Sequence, residues 1–200
     1  PVRVIGASRT DAGVHALGNV AVFDTQARMG ADKFTYALNQ RLPEDIRIRA
    51  SREVPSDFHP RKTDSVKTYE YHILNEAFPN PVERLYSHFC YVPLDESRMQ
   101  RAAEYLTGEH DFQSFCSAGA QVESTVRTIY ECSVRREGTK LTIRIQGNGF
   151  LYNMVRIIAG TLMEVGRGKY PPEAVRDILE AKDRRTAGPT APARGLVLVS

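Results

Sequence analysis

The sequence lacks the features that mark several classes of protein. No run approaches the roughly 20 consecutive apolar residues of a membrane-spanning helix, so an integral membrane protein is not expected. The first residues show no signal-peptide pattern. There is no low-complexity tract and no obvious repeat, and 42% hydrophobic against 26% charged residues is an ordinary globular composition. Disordered, collagen-like and coiled-coil proteins are therefore excluded.

Cysteine is scarce as well. The three cysteines, Cys90, Cys116 and Cys132, are far apart, so they form neither a CxxC pair nor a set with zinc-ligand spacing. Cys90 and Cys132 lie in strand-like runs, where a buried thiol behaves as a small hydrophobic group. All three are predicted to be structural, which favours a reducing, cytoplasmic compartment.

Hydrophobic periodicity predicts both strands and helices. Strands are predicted at 17–23, 46–54, 66–74, 86–92, 126–135, 140–147 and 195–199, and helices at 31–42, 95–106, 150–165 and 172–182. Asp95 is the predicted N-cap of the second helix. Hairpins mixed with helices, without regular strand–helix alternation, predict an α+β fold with an antiparallel sheet and flanking helices. The segment 54–63 has two prolines and mixed charge, which predicts a boundary between residues 1–55 and 56–200.

The most concentrated polar signal is the segment GASRTDAGVHA at residues 6–16. Gly13 lets the backbone take conformations closed to other residues, so the loop can turn tightly and present Asp11. Because the guanidinium of Arg9 is close in sequence, an ionised Asp11 is favoured and can serve as nucleophile or general base. The alternative is an Asx turn, in which the carboxylate binds its own backbone.

A second signal is an arginine in an apolar segment. Residues 150–165, FLYNMVRIIAGTLMEV, are apolar on almost every side, which is typical of a buried helix. An unpaired buried charge is costly, so Arg156 is predicted to have an anionic partner, for which Asp11 is the candidate. The alternative is that Arg156 reaches solvent beside Tyr152 and Asn153.

A third signal is the strand-like run KTYEY at residues 67–71. Tyr69, Tyr71 and Lys67 share one face of a strand. Aromatic rings beside a basic side chain can stack on a nucleobase and hold a phosphate, whereas the alternative is that one or both tyrosines belong to the core.

The charge distribution gives a weaker indication. The chain carries a net charge of +3, and residues 135–185 hold eleven Lys or Arg against six Asp or Glu. This basic region suits an RNA backbone, although a solvated surface explains much of it.

Segments in order along the whole chain resemble the motifs of the tRNA pseudouridine synthase A family. They are RTDAGVHA at 9–16, FHPR at 58–61, KTYEY at 67–71, DFQSF at 111–115, FLYNMVR at 150–156, KDR at 182–184 and GLVL at 195–198. The first of these matches its family motif residue for residue and is highly specific.

The resemblance implies a role for individual residues. Asp11 is the catalytic aspartate, Arg156 pairs with it, and Tyr69 stacks on the target uridine. Arg9 helps to open or hold the RNA. The substrate-binding candidates are Tyr69, Arg9, His15, Arg61 and Lys67. Whether Asp11 attacks C1′ or C6, or removes a ribose proton, is left open.

The resemblance also implies the fold, the reaction and the partners. The expected fold is the pseudouridine synthase fold, with two ferredoxin-like halves around a central cleft. The expected enzyme is an isomerase that converts uridine to pseudouridine at positions 38, 39 and 40 of the anticodon stem-loop. A cytoplasmic homodimer that binds tRNA, with no membrane, metal or organic cofactor, is expected.

The sequence departs from the family pattern in two ways. Ser8 stands where the family usually has glycine. The family's N-terminal strand and helix, with a YDG…GWQ-like segment, and its extension past the last strand are missing, and the chain has no tryptophan. The chain is therefore expected to be a fragment. Two rival functions are a non-catalytic RNA-binding module of the same fold and a metal-dependent phosphate-ester hydrolase, for which no second carboxylate stands beside Asp11.

Overall fold

The computed structural model describes residues 2–8, 10–61, 65–119 and 122–200. The chain forms two compact units, which we call unit 1 (Pro1–Ser8 and Val20–Thr63) and unit 2 (Arg9–Asn19 and Asp64–Ser200). The loop that carries Asp11 thus belongs to unit 2. The predicted halves 1–55 and 56–200 stay a prediction.

Unit 1 has little regular structure. Its strands β1 (Val4–Gly6) and β3 (Ala21–Phe23) pair antiparallel. Its helix α1 (Phe34–Asn39) follows a 3-10 turn at Ala31–Lys33, so the α-helix in the structure is shorter than the helix predicted at 31–42. The predicted strand 17–23 is confirmed only over its last three residues.

The predicted strand at 46–54 is wrong, because none of these residues has strand structure. The side chain of Asn39 binds both backbone groups of Ile48, donating to the carbonyl at 2.9 Å and accepting from the N–H at 2.8 Å. Since these backbone groups bind a side chain instead of a neighbouring strand, the alternating pattern alone does not produce a strand.

Unit 2 is built on one mixed sheet. Its strands are β2 (His15–Ala16), β4 (Lys67–Asn75), β5 (His88–Cys90), β6 (Gly108–Asp111), β7 (Val126–Glu137), β8 (Lys140–Gly147) and β9 (Leu196–Leu198). The order is β2-β9-β4-β8-β7-β6, and β5 pairs with the second half of β4. The pairs β2–β9 and β4–β5 are parallel, and the others are antiparallel. The predicted α+β fold is confirmed.

The core lies on one face of this sheet. Buried residues alternate along β8 and along the middle of β4, as the period of two requires; they include Tyr71, Ile73, Leu141, Ile143 and Ile145. On the other face, Arg144 donates to Glu70 across the same two strands at 2.7 Å. The alternation seen in the sequence therefore separates core from solvent correctly.

The α-helices in the described part of unit 2 are α2 (Glu96–Glu104), α3 (Met154–Gly166) and α4 (Ala174–Ala181). Asp95 caps α2 as predicted, since its carboxylate accepts from the backbone N–H of Arg98 at 3.0 Å. Helix α3 begins four residues later than predicted, because Asn153 has left-handed backbone dihedrals (φ 60°, ψ 8°).

Residues 187–195, which we call the strap, cross α3. The backbone N–H of Gly188 donates to the hydroxyl of Thr161 at 2.9 Å. A Cβ atom on Gly160 would lie 1.8 Å from the carbonyl oxygen of Pro189. Only glycine at this position lets the strap approach the helix so closely.

The cysteines behave largely as predicted. Cys90 and Cys132 are buried, Cys116 is half-buried, and all three are free thiols. Burial raises the pKa of Cys132 to about 12, so this thiol stays protonated. Among the residues that the structure describes, no helix is long and apolar enough to cross a membrane.

Candidate active site

A cavity of about 240 Å³ in unit 2 brings together three predicted site residues, Asp11, Tyr69 and Arg156. The residues that line it are Thr10, Asp11, Val14, Tyr69, Phe150, Leu151, Tyr152, Asn153, Met154, Val155, Arg156 and Leu196. They come from the 10–14 loop, strands β4 and β9, and the start of α3. One wall is therefore apolar and aromatic, and the ion pair described below lies against it.

Asp11 is presented by a tight turn. The backbone N–H of Val14 donates to the carbonyl of Asp11 at 3.0 Å, and Gly13 at the third position has φ +82°. A positive φ at this position is the requirement that glycine satisfies in a type II turn. After the turn, β2 runs parallel to β9 and joins the loop to the sheet edge.

The ion pair predicted between Arg156 and Asp11 is confirmed. Nη1 of Arg156 lies 2.9 Å from Oδ2 of Asp11. The alternative for Arg156, an extension to solvent, does not occur, since only 17% of its side chain is exposed. The Asx turn considered for Asp11 does not form either, because no described backbone N–H donates to its carboxylate.

Two further acceptors fix the guanidinium of Arg156. Nε donates to the carbonyl of Ala191 in the strap at 2.8 Å, and Nη1 also donates to Oδ1 of Asn153 at 2.8 Å. Because 39% of the Asp11 side chain is exposed, the ion pair adds little to stability, on the order of 1 kcal/mol or less. Its main effect is to hold the carboxylate in one direction.

The two tyrosines of β4 differ in role. Tyr71 is a core residue: burial raises the pKa of its hydroxyl above the usual value, and the hydroxyl donates to the carbonyl of Pro192 at 2.9 Å. Tyr69 is 8% exposed and lines the cavity, with its ring edge-on to that of Phe150 at 5.2 Å between centroids. The role of Tyr69 in stacking on a base stays a prediction.

Among the other predicted substrate-binding residues, His15 and Lys67 are not part of the cavity lining. In unit 2, His15 binds the carbonyl of Leu85 through Nε2 at 2.7 Å, and Lys67 begins β4 opposite Gly147. Arg61 belongs to unit 1, where Nε donates to the carbonyl of Gly6 at 3.1 Å. Arg9 lies outside the described residues.

Part of the basic charge in residues 135–185 is paired within the protein. Lys169 lies 2.7 Å from Glu164, Lys182 lies 3.0 Å from Asp111, and Arg185 lies 2.7 Å from Asp183. The count of eleven basic residues therefore overstates the number of cationic side chains that this region can offer to a phosphate backbone.

The groups that sequence reasoning missed include Asn153 and Phe150, which line the cavity, and the carbonyl of Ala191, which binds Arg156. Asn153 precedes Arg156 by three residues, a spacing that places two side chains on the same side of a helix, and this was a usable signal. The contact with Ala191 depends on tertiary structure and had no signal.

The described part of the chain contains no group of three or more His, Cys, Asp or Glu side chains placed to hold a metal ion. The lining residues with polar side chains are Asp11, Arg156, Asn153, Thr10, Tyr69 and Tyr152.

Comparisons with known proteins agree with the sequence motifs. The sequence model of a family described as tRNA pseudouridine synthase matches residues 1–61 and 102–200. A tRNA pseudouridine synthase A of Brevibacillus brevis is 50% identical over 197 residues, covering 98% of this chain and 81% of that protein. Proteins of the same name from Halalkalibacterium halodurans (48% identical, 98% of this chain, 74% of that protein) and Acetivibrio thermocellus (50%, 99% and 81%) are also similar.

Proposed function

We propose a reaction for this chain, which belongs to the tRNA pseudouridine synthase family. The protein isomerises uridine at positions 38, 39 and 40 of the anticodon stem-loop of tRNA, and the reaction takes place in the cavity. The observation that carries the proposal is the Asp11–Arg156 ion pair in a cavity walled by Tyr69 and Phe150. The charged pair supplies the reactive group, and the aromatic wall suits a flat pyrimidine.

The reaction breaks the C1′–N1 glycosidic bond, turns the uracil while it is bound, and joins C5 to C1′. N1 gains a hydrogen and C5 releases one, so the atoms balance without an oxidant or a reductant. A carboxylate suits this chemistry because it can add to an electrophilic carbon and later leave. Asp11 is the proposed catalytic residue, and Arg156 holds it toward the cavity.

The substrate has to reach the cavity as a flipped nucleotide, because a stacked base cannot meet a carboxylate on this wall. Flipping costs a few kcal/mol. Stacking on an aromatic ring is worth about 1–3 kcal/mol per base, so Tyr69 offsets much of this cost. The proposal also includes Arg9, His15, Arg61 and Lys67 as contacts to the RNA, a homodimer as the working form, and the cytoplasm as the location.

The test is release of tritium from tRNA labelled with [5-³H]uridine, measured on the full-length protein. We expect release from the wild type, and none from Asp11→Asn or Asp11→Ala although both still bind tRNA, because phosphate contacts supply most of the affinity. Asp177→Asn is the matched control, since the Asp177 side chain is 73% exposed on α4 and should leave turnover unchanged.

Two outcomes would contradict the proposal. Equal loss of binding and turnover in the Asp11 variants would remove Asp11 from the chemistry. Tight tRNA binding by the wild type without any release of tritium would favour the RNA-binding module instead.

A further inference from the structure

Asn153 stands at the N-cap of α3 but does not behave as a cap. An N-cap asparagine ordinarily has an extended backbone and accepts a hydrogen bond from a backbone N–H in the first turn. Asn153 has left-handed dihedrals, and its side chain makes no cap bond. The described residues with a positive φ include only one other that is not glycine, Lys182. Asn153 therefore has an unfavourable backbone conformation, makes no cap hydrogen bond and lines the cavity. A strained backbone at such a place indicates a functional constraint.

The side chain of Asn153 is held between two partners. Oδ1 accepts from Nη1 of Arg156 at 2.8 Å, and Nδ2 donates to the hydroxyl oxygen of Ser117 at 3.0 Å. A guanidinium can only donate, so the oxygen of the amide has to face Arg156 and the nitrogen has to face Ser117. The backbone N–H of Ser117 donates to the carbonyl of Tyr152 at 3.1 Å, which holds Ser117 beside Asn153.

Nη1 of Arg156 carries two hydrogens, and both have an acceptor. One points to Asp11 Oδ2 and the other to Asn153 Oδ1, while Nε donates to Ala191. With these three acceptors in place, the guanidinium can neither turn about its own axis nor tilt away from Asp11.

We propose that Asn153 is a positioning residue whose amide aims Arg156 at Asp11, and that Ser117 keeps this amide in the required orientation. The inference rests on the proposed function, since it assigns a role within the same site. It also explains the left-handed backbone, because these dihedrals place the amide beside Nη1 and take it away from the helix N–H groups.

Substituting glycine for Asn153 distinguishes this positioning role from a purely structural role. If position 153 serves only the turn before α3, glycine does as well as asparagine, because glycine adopts a positive φ freely. If the amide is needed, Asn153→Gly keeps the fold and loses turnover. Lys182→Gly is the control, since it also places glycine at a left-handed position, at the end of α4, and removes only the ion pair with Asp111 there.

The experiment compares kcat and KM for pseudouridine formation in the full-length wild type and in Asn153→Gly, Ser117→Ala and Lys182→Gly. We expect Asn153→Gly to lower kcat by about tenfold or more, because a misdirected catalytic group loses rate steeply, with KM for tRNA within about twofold of wild type. Ser117→Ala should lower kcat by several-fold, and Lys182→Gly should retain it.

Wild-type kcat in Asn153→Gly, or a loss that appears in KM alone, would overturn the proposal. If Asn153→Gly does not fold, Ser117→Ala decides, and wild-type kcat in that variant would overturn the proposal. Failure of the proposed function looks different: the wild type itself then forms no pseudouridine. An active wild type, an inactive Asp11→Asn and a fully active Asn153→Gly would reject the role of Asn153 alone.

Discussion

Asp11 and Arg156 are separated by 145 residues in the chain, and a 2.9 Å contact joins them. At the scale of single residues, the site depends on what each side chain can do that its nearest substitute cannot. The planar guanidinium donates to Asp11, Asn153 and Ala191 at once, and an ammonium group lacks the planar fork of N–H groups that this requires.

Replacing Arg156 tests this geometry. Arg156→Met should lower the rate of tritium release by about 10²-fold or more, the scale on which loss of one preorganised charged contact acts. Arg156→Lys should be intermediate, because it keeps the charge and loses the planar fork. Thermal unfolding of both variants controls for folding, and a wild-type rate in Arg156→Met would remove this residue from the mechanism.

Tyr69 is tested by separating its ring from its hydroxyl. Tyr69→Phe keeps the stacking surface and should retain turnover within a few-fold, whereas Tyr69→Leu should lose about 1–3 kcal/mol of base capture, seen as weaker tRNA binding and slower release. The neighbouring Tyr71→Phe is the control: it loses the bond to Pro192 and about 1 kcal/mol of stability, with binding unchanged. Full activity in Tyr69→Leu would leave Tyr69 with a core role only.

The sequence predicted the charged pair but not its surroundings. An arginine in an apolar helix requires an acceptor on general electrostatic grounds, so the partner of Arg156 could be inferred. The left-handed backbone of Asn153 could not be, because asparagine at a helix start usually caps the helix. The bond to Ala191 depends on where a distant segment crosses α3, which no local pattern encodes.

At the scale of elements, α3 and the strap act as a pair. Gly160 lets Pro189 approach the helix, and Ala191, two residues further on, receives Nε of Arg156 and donates its N–H to the carbonyl of the same residue at 3.0 Å. The close crossing therefore sets the position of the Arg156 guanidinium.

Gly160→Ala should disturb both stability and activity. The added Cβ would meet the Pro189 carbonyl at 1.8 Å, so the strap has to shift, at a cost of about 1–3 kcal/mol for an overpacked site. Denaturant unfolding and tritium release measure the two effects. Gly149→Ala is the control, because its nearest neighbour would be a side-chain atom of Arg127 at 3.6 Å. Equal free energies of unfolding for Gly160→Ala and wild type would show that the strap can shift without a cost in stability.

Elements with a strong period were predicted well, and irregular ones were not. β8 and the middle of β4 alternate between core and solvent, and β7 does so after its bulge between Ile129 and Glu131, so their positions follow from that period. The run at 46–54 alternates too, yet Asn39 binds the backbone of Ile48 where a neighbouring strand would be. Which group a backbone N–H or carbonyl binds depends on tertiary structure, and this explains why the strand predicted at 46–54 is wrong.

At the scale of the whole molecule, two histidines make stability depend on pH. Burial lowers the pKa of His72 and of His88, and for His88 the charges of Arg194 and Arg167 lower it further. The unfolded chain then binds protons that the folded protein does not, so the free energy of unfolding falls as pH falls through the usual histidine range.

We expect the free energy of unfolding, measured in urea, to decrease from pH 7.5 to pH 5.5. Carboxyl groups such as Asp111, whose pKa is lowered by a hydrogen bond from Thr125, contribute only at more acidic pH. The double variant His72→Gln/His88→Gln should show a smaller decrease over the same interval. A protein equally stable at both pH values would contradict the assignment.

The parallel pairing of His15–Ala16 with Val197–Leu198 has a consequence for synthesis on the ribosome. The segment that follows Asp11 is made first, and the strand beside which it lies is made roughly 180 residues later. Translation adds about 5–20 residues per second, so the nascent loop waits on the order of ten seconds or more for its partner. A chain released before residue 196 could contain Asp11, Tyr69 and Arg156 and still lack the strand that seats the first of them. Premature termination after Arg156 but before residue 196 should thus abolish activity as completely as termination before Asp11.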